Sequence, residues 1–334
     1  MIISLDSGEV SSFYKQETNS KLKWEGIGIG NPNLKATILE KIKRQMKLVK
    51  IIKEFDPDIS VSFMIGSFIY SRIPLFICRK KLILSERNSP EIYNLTSAKK
   101  YKQFYFILMI FANKITVQFD SYKDKYPKYL RKKIITIPNA IAEHKFINKR
   151  TNETLRFIYA GRFSFQKQLP KLLYSFQRYK QLGGSANLTL VGSGETKSEI
   201  INLITELEMQ DFVEIKEPEQ DMAKIFETAD INCLFSLWEG FPNSLAEGLK
   251  VGIPTIGFKE CAGVSDLIID GYNGWLVSDD NNYELIGKKF LEIERMYMIN
   301  AAVIKENCEH SVAKYTDNFV YSKWLQLLQS TQVL

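Results

Sequence analysis

The sequence has few of the residues that build metal centres or disulfide frameworks. Its 334 residues include four cysteines and two histidines, and no two cysteines form a Cys-x-x-Cys pair. Four scattered thiols fit a reducing cytoplasm. No grouping of metal ligands appears, so a histidine-built metal site is not expected.

Long apolar runs are also missing. No stretch of 18 apolar residues occurs, so the sequence predicts no membrane-spanning helix. The first residues lack a basic segment followed by an apolar core, so no secretory signal peptide is predicted.

Acidic residues are scarce in the first half of the chain. Residues 1–150 carry 28 Lys and Arg against 13 Asp and Glu, whereas residues 151–334 carry 17 against 25. The length suffices for two domains. A basic half joined to an acidic half indicates an anionic partner for the first: a phospholipid surface, a pyrophosphate-bearing lipid or nucleic acid. The alternative is a lysine-rich surface that reflects only genome composition.

Short apolar strands alternate with helical segments along both halves, which predicts an α/β fold with parallel sheets and right-handed crossovers. The predicted strands are residues 1–6, 58–63, 81–85, 115–118, 134–137, 156–160, 187–191, 213–216, 231–235, 254–258 and 273–277.

Two segments of the basic half are amphipathic. A helix is predicted over residues 36–54, with an apolar stripe that consists of Ile38, Ile42, Met46, Val49 and Ile52. Cations that include Lys43 and Lys47 cover much of the rest, either as a solvated face or as a contact for lipid headgroups or a lipid pyrophosphate. Residues 97–113 read either as a buried helix or as an interfacial anchor with a lysine collar.

The most informative stretch follows the strand at 231–235. Gly240 permits a tight turn, Pro242 fixes φ near a helix start, and Asn243 or Ser244 is expected to cap that helix. The amides of Asn243, Ser244 and Leu245, with the helix dipole behind them, favour a phosphate. Glu239 and Glu247 bracket this site, which suits a nucleotide sugar: one carboxylate for the sugar and one for the ribose.

These residues carry a family resemblance. The frame Glu-Gly-Phe-Pro-Asn-Ser-Leu-x-Glu from Glu239 to Glu247 resembles the signature of retaining GT-B glycosyltransferases of family 4. The resemblance implies two Rossmann-like domains with parallel sheets facing across a cleft. They are an acceptor-binding domain at 1–145 and a nucleotide-sugar-binding domain at 146–310, with a C-terminal helix at 311–334 that crosses back to the first. The family's opening strand, Gly-rich loop and helix are not found, so the chain looks truncated at its start or has lost them.

The resemblance also implies a donor site. Gly161-Arg162 followed by Lys167 matches the pair of cations that grips the donor diphosphate, although Gln168 and Glu217 stand where relatives have glycine. Glu239, Arg162 and Lys167 are the predicted catalytic residues. The donor-binding residues implied are Gly161, Arg162, Lys167, Gly192, Ile215, Lys216, Glu239, Gly240, Phe241, Pro242, Asn243, Ser244, Leu245 and Glu247.

On the acceptor side, the Ser-Glu-Arg-Asn-x-Pro segment from Ser85 to Pro90 resembles a subgroup that builds bacterial surface polysaccharides and glycan-linked lipids. It has no histidine where many relatives place one. Arg87, Lys43 and Lys47 are the candidate acceptor-side residues; the alternative for Arg87 is a structural ion pair.

The resemblance therefore implies a retaining, metal-independent hexosyl- or N-acetylhexosaminyltransferase. It would use a nucleotide sugar, UDP-linked by expectation, and a lipid-linked or polysaccharide acceptor at the cytoplasmic membrane face. No cofactor and no nucleic-acid partner are expected, and peripheral contact with an anionic membrane is expected. The alternative is a truncated, catalytically impaired remnant that still binds nucleotide sugar.

Overall fold

The structure, a computed structural model, describes residues 1–4, 24–29, 36–141, 154–219 and 221–333. By their contacts the residues form two compact units, Met1–Ile137 with Lys323–Leu334, and Pro138–Ser322. The domain limits at 145 and 310 and the crossing helix at 311–334 stay predictions, and most of the connection between the predicted domains lies outside the described residues.

The first unit is an α/β unit. Its elements are β1 (Ile2–Ser4), β2 (Trp24–Gly26), α1 (Ile38–Phe55), β3 (Ile59–Phe63), α2 (Met64–Ile77), β4 (Lys81–Ser85), α3 (Ile92–Leu95), α4 (Lys102–Leu108), β5 (Lys114–Val117), α5 (Lys128–Arg131) and β6 (Ile134–Thr136). The main sheet has the order β3-β4-β5-β6, and β1 pairs with β2 apart from it. All of these pairs are parallel.

Helix α1 forms where the sequence predicts it, because a capping box fixes its start: Thr37 Oγ1 accepts from the amide of Glu40, and Glu40 Oε2 accepts from the amide of Thr37. Its predicted apolar stripe is buried only at its C-terminal end: Ile52 is 2% exposed, whereas Ile38 is 78% exposed and Met46 67% exposed. The buried face lies further along the helix and is rotated toward Leu48, Ile51 and Ile52.

The segment 97–113 is neither one buried helix nor one exposed helix. A 3₁₀ turn (Ser97–Tyr101) leads into α4, and a second 3₁₀ turn (Met109–Phe111) follows it. Phe106, Leu108 and Met109 are buried, while the opposite face carries exposed apolar side chains.

The second unit contains β7 (Arg156–Ala160), α6 (Leu169–Gln181), β8 (Asn187–Val191), α7 (Lys197–Glu206), β9 (Val213–Lys216), α8 (Met222–Phe226), β10 (Ile231–Leu234), α9 (Asn243–Lys250), β11 (Thr255–Phe258), α10 (Ala262–Ser265), β12 (Gly274–Val277), α11 (Tyr283–Val312) and the start of α12 (Asp317–Val333). Its sheet has the order β12-β11-β10-β7-β8-β9, again all parallel. This is the order of a doubly wound sheet, in which the direction of winding reverses between β7 and β10.

Helix α11 packs on α6 through aromatic rings. Phe290 lies edge-on to Phe157 at a centroid distance of 5.0 Å, and Phe157 lies edge-on to Phe176 and Tyr179 at 5.9 and 5.7 Å. These rings anchor β7, the strand that precedes Gly161, against two helices.

The β11–β12 pairing generates a stability prediction. Gly274 lies opposite Thr255, and a Cβ added there would stand 2.3 Å from the Thr255 carbonyl oxygen. We expect Gly274→Ala to lower the free energy of unfolding by about 1–3 kcal/mol through overpacking, measured by denaturant titration. Gly66→Ala in α2 is the matched control, because nothing lies within 4 Å of its added Cβ. Equal stability of the two variants would contradict this packing.

Candidate active site

The candidate site lies at the carboxyl ends of β7 and β10. Ligands of doubly wound sheets bind outside the carboxyl ends of the strands at the point where the winding reverses. Here Ile231 and Asn232 of β10 pair with Phe157 and Ile158 of β7. The turn that starts at Gly161 and the turn that contains Glu239 therefore emerge side by side.

Three contacts join these two turns. Lys167 Nζ lies 2.5 Å from Glu239 Oε1, and both side chains are largely shielded from solvent. Gln166 Nε2 donates to the Trp238 carbonyl oxygen at 2.5 Å, and the Leu237 amide donates to the Gln166 carbonyl oxygen at 2.9 Å. The predicted cation from one βα turn thus meets the predicted carboxylate from the other.

Helix α9 begins four residues after Glu239. Its cap position is Pro242, and among the described residues no side chain caps its first amides. The expectation that Asn243 or Ser244 caps the helix is therefore wrong: Asn243 is already helical, and its Oδ1 accepts from Asn139 Nδ2 at 2.8 Å. Since proline offers no side-chain acceptor, the dipole of α9 faces the turn without a protein anion in the cap position.

The flanks of this turn are buried. Gly240 and Pro242 are buried, Ser244 is half-buried and Leu245 is in the core. The ring of Phe241 lies edge-on to Tyr315 at a centroid distance of 5.5 Å. The turn between β10 and α9 is thus packed against the rest of the unit on these sides.

Glu247 lies on α9 one turn beyond its start. Burial raises the pKa of its carboxyl from 4.5 to about 7, because removal from water disfavours the charged form. A carboxyl with this pKa exchanges a proton near neutral pH, which distinguishes it from an ordinary surface glutamate.

The Gly-rich turn after β8 packs directly on the turn after β7. A Cβ on Gly192 would stand 1.9 Å from the Gly161 carbonyl oxygen, so only glycine fits. The Gly161 amide donates to Val191 O at 3.0 Å, and the Gly192 amide donates to Lys216 O at 3.0 Å. Adjacent backbone turns are thereby fixed around Arg162, whose side chain is exposed.

Gln168 and Glu217, which stand where the resembling family has glycine, each make a contact with a nearby residue. Gln168 takes the left-handed conformation at φ 46° that suits glycine, and its Nε2 donates to Phe165 O at 2.7 Å. Glu217 pairs with Lys197 at 2.5 Å. Of the predicted residues at the end of β9, Ile215 is half-buried and Lys216 pairs with Glu214 at 3.2 Å.

The acceptor-side candidates lie in the first unit. The Arg87 guanidinium lies 5.9 Å from the centroid of the Phe63 ring, and burial lowers its pKa. Lys47 Nζ donates to the carbonyl oxygens of Gly26 and Ile27 at 3.0 and 2.8 Å, while Lys43 is exposed on α1. The structure thus gives Lys47 a backbone-anchoring contact, and an acceptor role for these three residues stays a prediction.

Sequence reasoning did not single out some residues that shape the site. Tyr159 Oη donates to the Arg162 carbonyl oxygen at 2.7 Å, and Gln166 and Asn139 tie segments together as described above. No local pattern marks either residue: the partner of Gln166 is set by strand order, and Tyr159 reads as an ordinary core residue of β7, although its partner Arg162 lies only three residues further on. In the first unit, Glu86 is buried and accepts from Tyr93 Oη at 2.8 Å; burial raises its pKa to about 7.

The described residues also bear on membrane-spanning helices and on metal sites. Within the described residues, no helix combines the length and apolarity that a membrane crossing requires. In the same part of the chain, no group of three or more His, Cys, Asp or Glu side chains is arranged to hold a metal ion.

The raised pKa of Glu247 predicts a pH-dependent stability. The pKa of its carboxyl in the folded protein, about 7, exceeds the ordinary value of 4.5. Its contribution to the free energy of unfolding is therefore fully present below about pH 4.5 and is lost as the pH rises through 7. Glu247→Gln cannot ionise. It should raise the free energy of unfolding by about 2–3 kcal/mol near pH 8.5 and change it little near pH 4.5, measured by urea titration.

Glu86 also has a pKa of about 7, but it is present in both wild type and variant. Its contribution therefore cancels when the free energies of unfolding of the two proteins are subtracted, and the difference reports on Glu247. An equal effect of the substitution at both pH values would show that the carboxyl of Glu247 is not desolvated.

Comparison with known proteins agrees with this geometry. The model of the family "Glycosyl transferases group 1" matches residues 140–310, just over half of the chain. An uncharacterized glycosyltransferase of Methanocaldococcus jannaschii is 28% identical over 320 residues, which cover 86% of this chain and 77% of that protein. A Campylobacter jejuni enzyme named GalNAc-alpha-(1->4)-GalNAc-alpha-(1->3)-diNAcBac-PP-undecaprenol alpha-1,4-N-acetyl-D-galactosaminyltransferase is 23% identical over 98% of this chain and 89% of its own length.

A solved structure is similar over most of this chain. It is a mutant of S. aureus TarM in complex with Fondaparinux, alpha-GlcNAc-glycerol and UDP, with a TM-score of 0.73 and 19% identity over 85% of this chain and 58% of that chain. This similarity confirms the predicted GT-B fold class, and the family match confirms the resemblance stated from the Glu239–Glu247 frame. The chain belongs to the group 1 glycosyl transferases, and it is a glycosyltransferase with the GT-B fold.

Proposed function

We propose that this glycosyltransferase moves a hexosyl or N-acetylhexosaminyl group from a UDP-sugar to a hydroxyl group of a lipid-linked or polysaccharide acceptor. The configuration at the anomeric carbon is retained, no metal ion takes part, and the protein works at the inner face of the cytoplasmic membrane. The observation that carries the proposal is the contact of Lys167 with Glu239 at the reversal of the sheet, beside the start of α9.

Each group at this position has a chemical task in the proposed reaction. Breaking the bond between the anomeric carbon and the β-phosphate leaves negative charge on the departing diphosphate. Lys167, Arg162 and the amides at Asn243–Leu245 are positive groups that would stabilise that charge. Glu239 would bind hydroxyl groups of the donor sugar, and Glu247 would bind the ribose.

Proton transfer needs no separate protein base in this scheme. An oxygen of the leaving phosphate takes the proton of the attacking acceptor hydroxyl on the same face of the sugar, so attack and departure share one face and the configuration is retained. The role of the protein is then to hold the donor and to neutralise the diphosphate.

Two comparisons support the choice of substrates. The TarM structure contains UDP, and the name of the Campylobacter jejuni relative specifies an acceptor on a pyrophosphate-linked undecaprenol. A lipid acceptor of that class would also be an anionic partner of the kind that the excess of lysine and arginine in the basic half predicts.

Loss of the Lys167 ammonium is the direct test of the mechanism. Lys167→Ala should lower kcat/KM by about 2–4 kcal/mol of transition-state stabilisation, roughly 30- to 1000-fold, as expected when a preorganised charge is removed. The measurement is UDP-sugar turnover with vesicle-borne acceptors extracted from bacterial membranes. Lys288→Ala is the matched control, because Lys288 pairs with Glu284 on the exposed face of α11.

Near-normal turnover of the Lys167→Ala protein would contradict the assignment. Wild type that is stabilised by nucleotide but turns over no donor would instead favour the impaired remnant. The melting temperature of each variant is recorded, since removal of Lys167 leaves the shielded Glu239 carboxylate without this cation.

A thermal-shift screen tests the donor. UDP and UDP-sugars should stabilise the wild-type protein by about 2.7 kcal/mol at 100 times the dissociation constant, whereas GDP and ADP at the same concentration should stabilise it less. Glu247→Gln should reduce the shift produced by UDP, because its amide replaces the carboxyl proposed to bind the ribose. A larger shift with GDP or ADP would overturn the choice of uridine.

A further inference from the structure

The first unit exposes a group of large apolar side chains on two neighbouring elements. Phe76 is 80% exposed and Phe111 is 60% exposed. The group, here called the basic apolar surface, consists of Ile73, Phe76 and Ile77 on α2 and Phe104, Ile107, Ile110 and Phe111 on α4 and the 3₁₀ turn after it. Large exposed apolar groups of this kind mark an interaction surface.

The two elements form one continuous surface. The Arg72 guanidinium lies over the Phe111 ring at 5.4 Å from its centroid. A groove of about 500 Å³ between α2 and the end of α4 is lined by Arg72, Ile73, Phe76, Lys80 and Phe111. On the second element, Phe104, Ile107 and Phe111 follow the i, i+3, i+7 spacing of one helical face, while Phe106 and Met109 on the other face are buried.

The chain segments that build this surface carry charge of one sign. Residues 64–85 and 92–119, which include both elements, contain no aspartate or glutamate. They contain eight cations, which are Arg72, Arg79, Lys80, Lys81, Lys99, Lys100, Lys102 and Lys114. Lys80 pairs with Asp56 from outside these segments, at 2.7 Å.

This combination favours one kind of partner. Aromatic and branched apolar side chains flanked by lysine are the features that seat a protein in the headgroup region of a bilayer. Each lysine or arginine near an anionic bilayer surface adds to the attraction. A folded protein partner would have to bury these cations against carboxylates of its own, whereas an anionic bilayer supplies negative charge over the whole area.

We infer that the basic apolar surface docks the first unit onto an anionic phospholipid bilayer, with Phe76 and Phe111 inserted at headgroup depth and the surrounding lysines on lipid phosphates. The inference deepens the proposed function, since it assigns to specific residues the membrane contact proposed there. The contact is peripheral: the apolar side chains lie along one face of each element.

Flotation with vesicles tests the inference. Wild type should float with vesicles of phosphatidylcholine containing about 30% phosphatidylglycerol, should float poorly with phosphatidylcholine alone, and should dissociate as salt is raised from about 0.1 to 0.5 M. Phe76→Ser/Phe111→Ser should lower the partition coefficient at least about tenfold. Lys99→Gln/Lys100→Gln should lower it about fivefold per lysine, and only with the anionic vesicles.

The matched control is Ile299→Ser/Val303→Ser, which removes equally exposed apolar side chains (81% and 59%) from α11 in the second unit. It should float like wild type. The inference is overturned if wild type fails to float, or if Phe76→Ser/Phe111→Ser floats as well as the control. It is also overturned if sedimentation shows that wild type is a dimer and that Phe76→Ser/Phe111→Ser is a monomer, because the surface would then join two copies.

Nucleotide stabilisation, measured on the same proteins, separates this inference from the proposed function. Phe76→Ser/Phe111→Ser should keep the wild-type thermal shift with UDP, since the substituted residues belong to the other unit. Flotation without any nucleotide response would count against the proposed reaction and leave the docking surface standing; the reverse result would count against the surface alone.

Discussion

The pairing of β7 with β10 is the constraint on which the candidate site depends. Lys167 and Glu239 are 72 residues apart in the chain, and they meet only because these two strands are neighbours at the reversal of the sheet. Gln166 meets Trp238 at the same strand pair, and α9 starts beside it, whereas the packing of Gly192 on Gly161 follows from the pairing of β7 with β8. A different strand order would leave the same residue types at separate edges of the sheet.

The energetics of this contact point to function more than to stability. Removing two charges from water costs free energy that their mutual attraction recovers only in part, so a shielded ion pair is seldom better than an apolar pair for stability alone. At Lys167 and Glu239 the two charges lie beside a helix start that also favours anions. Under the proposed reaction, a diphosphate would provide Lys167 with a second anion, and the sugar hydroxyls would provide Glu239 with donors.

The two units divide the chemistry by charge. The second unit holds the carboxylates and the glycine turns of the candidate donor site, whereas the first carries most of the excess lysine and arginine. Glu86 and Glu247, one in each unit, are carboxyls whose pKa is raised to about 7 by burial. Glu86 directly follows the carboxyl end of β4, whereas Glu247 lies on the helix that follows β10.

Local structure was predictable to a large extent. The strands Lys81–Ser85, Arg156–Ala160 and Val213–Lys216 agree with the prediction at both ends, because short β-branched and apolar runs in parallel sheets are bounded by polar turns. The buried face of α1 was not predictable: Leu48 and Ile51 are buried although they lie outside the predicted stripe. Packing against a neighbouring element, here α2, selects the face that is buried. The segment 97–113 was ambiguous because both of its faces are apolar.

The sequence by itself determined the alternation of strands and helices, the family frame from Glu239 to Glu247, and the charge asymmetry between the two halves, since each of these follows from the order of side chains along the chain. Only the tertiary structure decided that Lys167 contacts Glu239, that proline and not asparagine occupies the cap of α9, and that Phe76 and Phe111 share one exposed surface. The physical reason is that strand order and burial depend on contacts between residues far apart in the chain, which no local periodicity encodes.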